Sequence, residues 1–189
     1  TFEKQVEHDL VLAEALWATG NHDARVFACW IADADAVRAS TLDAWAGEVD
    51  DHVLANEVVG LAAYTNLGAA LARKWRKRKA EWRATLGWST VASLAMQPSR
   101  GPADGGLADD ELLECLDVIE REIHAAPNRT RHAMNRALIA IGCRASTSRR
   151  ALAVAKRVGP VEVDHGPTSC KTDVAHDTIR RTLEHYAAK

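Results

Sequence analysis

The sequence predicts an all-α fold in which antiparallel helix pairs stack side by side as an α-solenoid. Thirty-five of the 189 residues are alanine, and alternating runs of β-branched residues are almost absent. Apolar residues recur at every third or fourth position through most of the chain, which is the helical period. The helical segments also recur in pairs about every 35–40 residues, which is typical of stacked repeats.

About ten helical segments follow one another along the chain. The first two are indicated by apolar stripes from Val6 to Trp17 and from Val26 to Ile31. Similar stripes cover the segments 42–50, 53–64, 67–86, 88–96, 107–124, 131–141, 149–158 and 174–186.

Residues typical of turns and helix ends separate these segments. They include Gly20-Asn21, Asn66, Gly87, Pro127-Asn128, Gly142 and Gly159-Pro160. The clearest loop, 97–106, is rich in Pro and Gly and separates a half with six tryptophans from a half with none. Residues 161–166 are compatible with a short extended segment or with an irregular loop.

The length of the helix-pair period is close to that of HEAT and armadillo repeats. Sequence identity between the pairs is low, and only short echoes recur near helix starts. These features favour a single α-solenoid domain over residues 1–189, with a loop near 97–107 between two halves. A closed helical bundle is the alternative.

Composition excludes several classes of protein. Hydrophobic residues make up 47% and charged residues 26% of the chain, which is typical of a globular protein. No apolar run reaches the roughly 18–20 residues that a membrane span requires. No charged-then-apolar leader follows Thr1. The four cysteines are far apart without a C-x-x-C pair, which argues against a disulfide scaffold or a thiolate zinc site. We therefore expect a cytoplasmic protein.

The net charge is only −2, but the cations are concentrated in one part of the chain. Seven of them occupy eleven positions in which Glu81 is the only acid: Arg73, Lys74, Arg76, Lys77, Arg78, Lys79 and Arg83. We expect them to lie on one helix that is positive on nearly every exposed face. Such a helix can neutralise DNA or RNA phosphates without reading the base sequence. A solvated helix without a partner is the alternative.

Four of the six tryptophans are of interest: one is an expected core residue, and three are candidates for ligand contact. Trp30 lies at the apolar end of its helix and is predicted to be buried. Trp45, Trp82 and Trp88 lie near helix ends beside polar residues. An aromatic face in a cleft can hold a cationic ligand, at about 0.5–2 kcal/mol for each ring. Simple packing is the alternative for each of them.

Two neighbouring carboxylates, Asp50 and Asp51, directly precede the helix that begins near His52. Aspartate is among the best N-cap residues, so either of them could cap this helix. The functional alternative is a carboxylate that stabilises a developing positive charge.

The most unusual string is Asp-His-Gly-Pro-Thr-Ser-Cys-Lys, at 164–171. Cys170 beside Lys171 is a candidate nucleophile. A few side chains are candidate metal ligands, although they lack a tight ligand spacing: Asp164, His165, Asp173 and His176. A buried structural turn, with Cys170 packed and Asp164 bonded to backbone amides, is the third interpretation. The chain has no Gly-rich phosphate loop and no H-E-x-x-H motif, and we expect no metal.

Several of these strings resemble the HEAT-like bacterial DNA alkylation repair family. The resemblance spans most of the chain, from Leu16 to about Ile179, and its motifs occur in the family's order. Two further strings, 126–135 and 161–171, are similar to a subgroup of that family. The residues that carry the main resemblance are Leu16, Trp17, His22, Asp23, Arg25, Trp45, Val49, Asp50, Trp82 and Trp88.

The resemblance implies an α-solenoid that holds duplex DNA on a basic concave face and hydrolyses the N-glycosidic bond of N3- or N7-alkylated purines. Asp50 would then be the catalytic carboxylate, and Trp45 or Trp88 would contact the lesion or the sugar. No cofactor is implied. The basic run would bind the duplex with help from Arg149, Arg150, Lys156 and Arg157.

The sequence departs from the family pattern at three places. Ala46 stands where the family has a tryptophan four residues before the aspartate, and Val91 stands near the position of a family arginine. No tryptophan follows Trp88, although the family has one on a late helix. These departures favour the alternative function, a non-catalytic HEAT-repeat module that binds DNA structures or a protein partner.

Overall fold

The computed structural model describes residues 8–188, which form ten α-helices and no β-strand. Val6, at the start of the first apolar stripe, lies outside the described residues. Short 3-10 turns at Pro102–Asp104 and Ile123–Ala125 precede two of the helices. The helices are α1 Leu10–Ala18, α2 His22–Ile31, α3 Ala39–Gly47, α4 His52–Tyr64, α5 Gly68–Trp75, α6 Glu81–Ala95, α7 Asp109–Glu122, α8 Asn128–Gly142, α9 Ser148–Val158 and α10 Ala175–Ala187.

The ten helices form two layers. The even-numbered helices contact one another in chain order, from α2 to α10, and we call them the inner layer. The odd-numbered helices form the outer layer, in which α1 packs on α2, α5 on α6, and α9 on both α7 and α8. Each helix packs mainly against the helices next to it in the chain and against the next helix of its own layer. The fold is therefore an open solenoid and not a closed bundle.

The apolar faces of the two layers enclose the core between them. One cluster of buried residues lies among α1 to α5 and contains Trp17, Trp45 and Trp75. A second cluster lies mainly among α6 to α10. Helix α6 joins the two, since Leu86 belongs to the first cluster and Val91 to the second. The core therefore continues past the loop at 97–106.

Helix starts follow local capping chemistry. The side chains of Asp9 and Asn21 accept hydrogen bonds from the first turns of α1 and α2. At the start of α4 the cap is Asp51, whose Oδ1 accepts from the amides of Val53 at 2.7 Å and Leu54 at 3.1 Å. Capping by Asp51 leaves the neighbouring Asp50 without this role.

The prediction of one helix over 67–86, followed by a break at Gly87, is wrong. Helix α5 ends at Trp75, the chain turns through 76–80, and α6 continues through Gly87 to Ala95. A Cβ atom added at Gly87 would lie 2.0 Å from the backbone nitrogen of Arg76. The glycine therefore allows the turn to approach α6 closely.

The loop predicted at 97–106 is present and is fixed to the end of α4. The guanidinium of Arg100 donates to the carbonyl oxygens of Ala63, Tyr64 and Thr65. Carbonyls in the last turn of a helix have no partner within the helix, so this arginine satisfies them.

Trp30 is not a core residue, contrary to the prediction. Its side chain is 51% exposed, and its indole N–H donates to the Glu57 carboxylate at 2.6 Å. The apolar period places Trp30 on the α2 stripe, but it lies at the inner-layer surface, where α4 offers a carboxylate.

Candidate nucleic-acid interface

Three cations of the basic run are held in ion pairs. Arg73 makes a bidentate pair with Glu111 of α7, at 2.5 and 2.9 Å. Asp43 of α3 accepts from Lys74 at 3.0 Å and from Arg83 at 2.8 Å. These pairs connect α5 to α7 and both α5 and α6 to α3, so they hold the solenoid together and neutralise charge that was predicted to meet DNA.

The same arrangement continues at α9. Arg150 pairs with Asp117 at 2.6 Å, and Arg157 makes a bidentate pair with Glu120, so that both connect α9 to α7. Arg149 and Lys156 are exposed and make no ion pair within residues 8–188. The outer layer is thus crossed by a series of ion pairs between neighbouring helices.

The other four cations of the run lie in the turn at 76–80, which we call the rim loop. The prediction that they lie on a helix is therefore wrong. The Arg76 guanidinium lies over the ring of Trp88, 5.6 Å from its centroid. Lys77, Arg78 and Lys79 are exposed and have no ion-pair partner in the part of the chain that the structure describes.

A groove of about 380 Å³ lies on the inner layer, and we call it the inner groove. Three successive inner helices and the segment 161–173, which we call the strap, form its walls. The polar and aromatic residues that line it are His52 and Asn56 of α4, Trp82, Thr85 and Ser89 of α6, Arg129, His132 and Arg136 of α8, and His165, Thr168, Cys170 and Lys171 of the strap.

The inner groove is electropositive. Arg129, Arg136 and Lys171 line it, and none of its described lining residues is acidic. Burial is the main cause that lowers the pKa of His132 below its ordinary value, and the guanidinium groups of Arg136 and Arg129 lower it further, whereas the carboxylate of Asp173 in the strap opposes the shift. The lining of the groove therefore favours the neutral form of this histidine, and its positive charge comes from the two arginines and Lys171.

Of the tryptophans that the structure describes, only Trp82 lines the inner groove. Its side chain is partly buried against the core of the first five helices. Its indole N–H makes no hydrogen bond within residues 8–188. The groove thus contains the indole ring of Trp82, whose N–H is available as a hydrogen-bond donor to a ligand.

The strap is an irregular loop fixed against α8. The Asn128 side chain donates to the carbonyl of Asp164 and accepts from its amide, both at 2.8 Å. The backbone of a neighbouring β-strand would offer Asp164 the same pair of hydrogen bonds. Arg131 donates to the carbonyl of Glu162, and Asn135 donates to that of Asp173, each at 2.9 Å. The two unusual strings of the sequence, 126–135 and 161–171, therefore pack directly against each other.

The string 164–171 forms part of the inner groove. Asp164 accepts from the amide of Gly166 at 2.7 Å, and Gly166 has a φ of 68°, so the segment contains the turn of the third interpretation, but this turn is exposed and not buried. Cys170 is exposed to the groove instead of packed, and α10 begins only at Ala175. Within residues 8–188 no three His, Cys, Asp or Glu side chains are grouped as metal ligands.

Comparison with known proteins identifies the family. The family model described as DNA alkylation repair enzyme matches residues 1–168. The chain belongs to this family. It is also similar to a solved structure from a new family of proteins related to the HEAT-like repeat DNA glycosylases with affinity for branched DNA structures. The TM-score is 0.85 and the identity 27%, over 98% of this chain and 78% of that chain. This similarity confirms the predicted HEAT-like solenoid. No curated protein sequence matches the chain.

The two tryptophans expected to meet a lesion in this family are packed in the core. Trp45 stacks on Trp17 with 4.3 Å between ring centroids and an interplanar angle of 2°. Trp45 is 4% and Trp88 3% exposed. Asp50, the family's expected catalytic carboxylate, is exposed and makes no hydrogen bond or ion pair within residues 8–188.

Sequence reasoning did not predict the basic residues of α8. Arg129, His132 and Arg136 are spaced by three and four residues, so they share one helix face. That spacing was visible in the sequence and could have indicated a basic stripe.

None of the helices within residues 8–188 has the length and the apolar character that a membrane span requires.

We expect the variant Asn128→Ala to loosen the strap. Two hydrogen bonds to Asp164 are lost, which we expect to lower the free energy of unfolding by about 1–2 kcal/mol. Hydrogen exchange of the Asp164 and Gly166 amides should accelerate more than that of α8. The matched control is Asn56→Ala, at an exposed groove residue without side-chain hydrogen bonds, and it should change stability by less than about 0.5 kcal/mol. Unchanged exchange in the first variant would show that Asn128 does not hold the strap.

Proposed function

We propose that this protein binds DNA in the inner groove and prefers branched DNA to linear duplex. The observation that carries the proposal is the set of three groove cations without an acidic neighbour among the described lining residues. The similar solved structure supports it, since that protein belongs to a family with affinity for branched DNA structures.

The groove offers contacts of two kinds. Arg129 and Arg136 on α8 and Lys171 on the strap can neutralise phosphates, which position a nucleic acid without reading its sequence. The ring of Trp82 can stack on an unpaired base, which every base permits because each has a π face. Phosphate neutralisation combined with one stacking ring favours recognition of DNA structure over recognition of sequence.

Excision of alkylated purines is the second candidate. Asp50 favours it, because Asp51 caps α4 and the Asp50 carboxylate makes no hydrogen bond or ion pair within residues 8–188. A free carboxylate can stabilise the positive charge that develops on a sugar during cleavage of the N-glycosidic bond. We place excision second because Trp45 and Trp88, the expected aromatic partners, are buried.

One set of measurements tests both candidates. We expect the protein to bind a three-way junction at least about tenfold more tightly than a linear duplex of equal length, as one or two added phosphate contacts would give. We expect no base release from duplex DNA that contains N7-methylguanine. Base release that disappears in Asp50→Asn would instead establish excision with Asp50 at its centre. Equal affinity for the junction and the duplex would contradict branch recognition.

A further inference from the structure

The rim loop forms a second basic surface, beside a cavity of about 340 Å³. Arg76, Arg78 and Lys79 line this cavity together with residues 125–127, which connect α7 to α8. Glu122 is the only acid among its described lining residues, and it is paired with Arg121. The surface therefore keeps a net positive charge.

The rim loop cavity and the inner groove lie on different faces of the same two helices. Successive residues of an α-helix are rotated by about 100° around its axis. On α6, the cavity residues Ala84 and Trp88 therefore lie roughly 100° around the axis from the residues that line the groove, which are Trp82, Thr85 and Ser89. On α8, Thr130 and Met134 lie roughly 130° around the helix axis from the groove cations Arg129 and Arg136. The two basic surfaces thus face different directions.

The packing of α6 against α8 separates the two surfaces. Thr85 lines the groove and Thr130 lines the cavity, and their hydroxyl oxygens are 3.4 Å apart. Both threonines are buried, so this contact is part of the helix packing. The carboxylate of Glu81 accepts from the amide of Arg129 at 2.6 Å in the same contact.

The rim loop is held in place before any ligand binds. The amide of Arg78 donates to the carbonyl of Trp75 at 2.9 Å, and the amide of Arg76 donates to that of Ala72 at 3.1 Å. Gly87 allows the loop to lie directly against α6. A preformed surface loses less conformational entropy on binding than a mobile loop does.

We propose that the rim loop binds the phosphate backbone of a second DNA arm while the first arm lies in the inner groove. This inference rests on the proposed function. A straight duplex follows one axis, whereas a branched DNA has arms in several directions, so only the branched form can occupy both surfaces. Lys77, Arg78 and Lys79 supply the phosphate contacts, because they have no ion-pair partner within residues 8–188, unlike Arg73, Lys74 and Arg83.

The test compares a three-way junction with a linear duplex of equal length at several salt concentrations. The variant K77Q/R78Q/K79Q should keep the duplex affinity of the wild type and lose its preference for the junction. In the wild type the logarithm of the affinity should fall more steeply with salt for the junction, by up to about 2.7 in slope for three phosphates. This difference should disappear in the variant. The control R38Q/R149Q/K156Q removes three exposed cations from the outer layer and should keep the preference.

Each other outcome has a separate meaning. A junction preference that is unchanged in K77Q/R78Q/K79Q would overturn the second-arm site and leave the proposed function intact. Equal losses for junction and duplex would also overturn it, because the loop would then belong to the groove site. The same loss in the control would show a general effect of charge and overturn it as well. A wild type without junction preference would refute the proposed branch recognition itself.

Discussion

The variant R129Q/R136Q/K171Q, which lacks the three groove cations, is expected to bind branched DNA about 100-fold more weakly near 0.15 M salt. Each cation that neutralises a phosphate contributes about 0.9 to the slope of log affinity against log salt. Removing all three should therefore reduce the slope by about 2 to 3. None of the three side chains makes an ion pair within residues 8–188, and all three line the inner groove, so folding should be unaffected. Fluorescence anisotropy with a labelled junction at several salt concentrations measures both quantities.

The matched control is R73Q/K74Q/R150Q, which changes the net charge by the same amount. These cations are held in ion pairs on the outer layer with Glu111, Asp43 and Asp117. We expect DNA affinity to change by less than about threefold, and each lost exposed pair to cost at most about 1 kcal/mol of stability. If this control loses as much affinity as the groove variant, DNA lies on the outer face and our assignment of the groove is wrong.

The variant Gly87→Ala is expected to lower the free energy of unfolding by about 2 kcal/mol. On helix propensity alone, alanine would stabilise α6 by about 1 kcal/mol. The added Cβ would, however, lie 2.0 Å from the nitrogen and 2.5 Å from the Cα of Arg76, which are backbone atoms that a change of rotamer cannot move. Overpacking of this kind costs about 1–3 kcal/mol or more, so the clash outweighs the propensity. Urea unfolding followed by tryptophan fluorescence measures the change.

Gly60→Ala provides the opposite expectation at a matched position. Gly60 also lies inside a helix, but a Cβ there would meet no atom within 4 Å. We therefore expect stabilisation by up to about 1 kcal/mol. Equal effects of the two substitutions would show that the rim loop does not pack against Gly87 as described.

Most helices were predictable because the signals that define them are local. The spacing of apolar residues predicted α7 to α10 to within a few residues, since both the period and the turn residues between them lie within one segment. The turn at 76–80 was missed because this stretch contains only residues that form helices readily, with no Gly or Pro to end α5. The position of this turn depends on the close approach of Arg76 to Gly87. These two residues are too far apart in the chain for a local helical pattern to indicate their contact.

The functional site was less predictable than the fold. Asp50 and Asp51 are equivalent as caps in the sequence, and only the geometry of the α4 start selects Asp51. The string at 164–171 had three interpretations, because its neighbours come from α8, more than 30 residues earlier. The local surroundings of Trp30 and Trp45 indicated the opposite of their burial, since Trp30 is 51% exposed and Trp45 only 4%.

The sequence by itself determined the all-α class, the succession of helix pairs, the resemblance to the DNA alkylation repair family and the presence of a concentrated basic run. Only the tertiary structure decided which cations remain available to a ligand. Arg73, Lys74 and Arg83 meet carboxylates 31 to 40 residues away in the chain, whereas Lys77, Arg78 and Lys79 do not. The physical reason is that an ion pair depends on a separation of a few ångströms in space, and no local pattern encodes a distance between side chains on different helices.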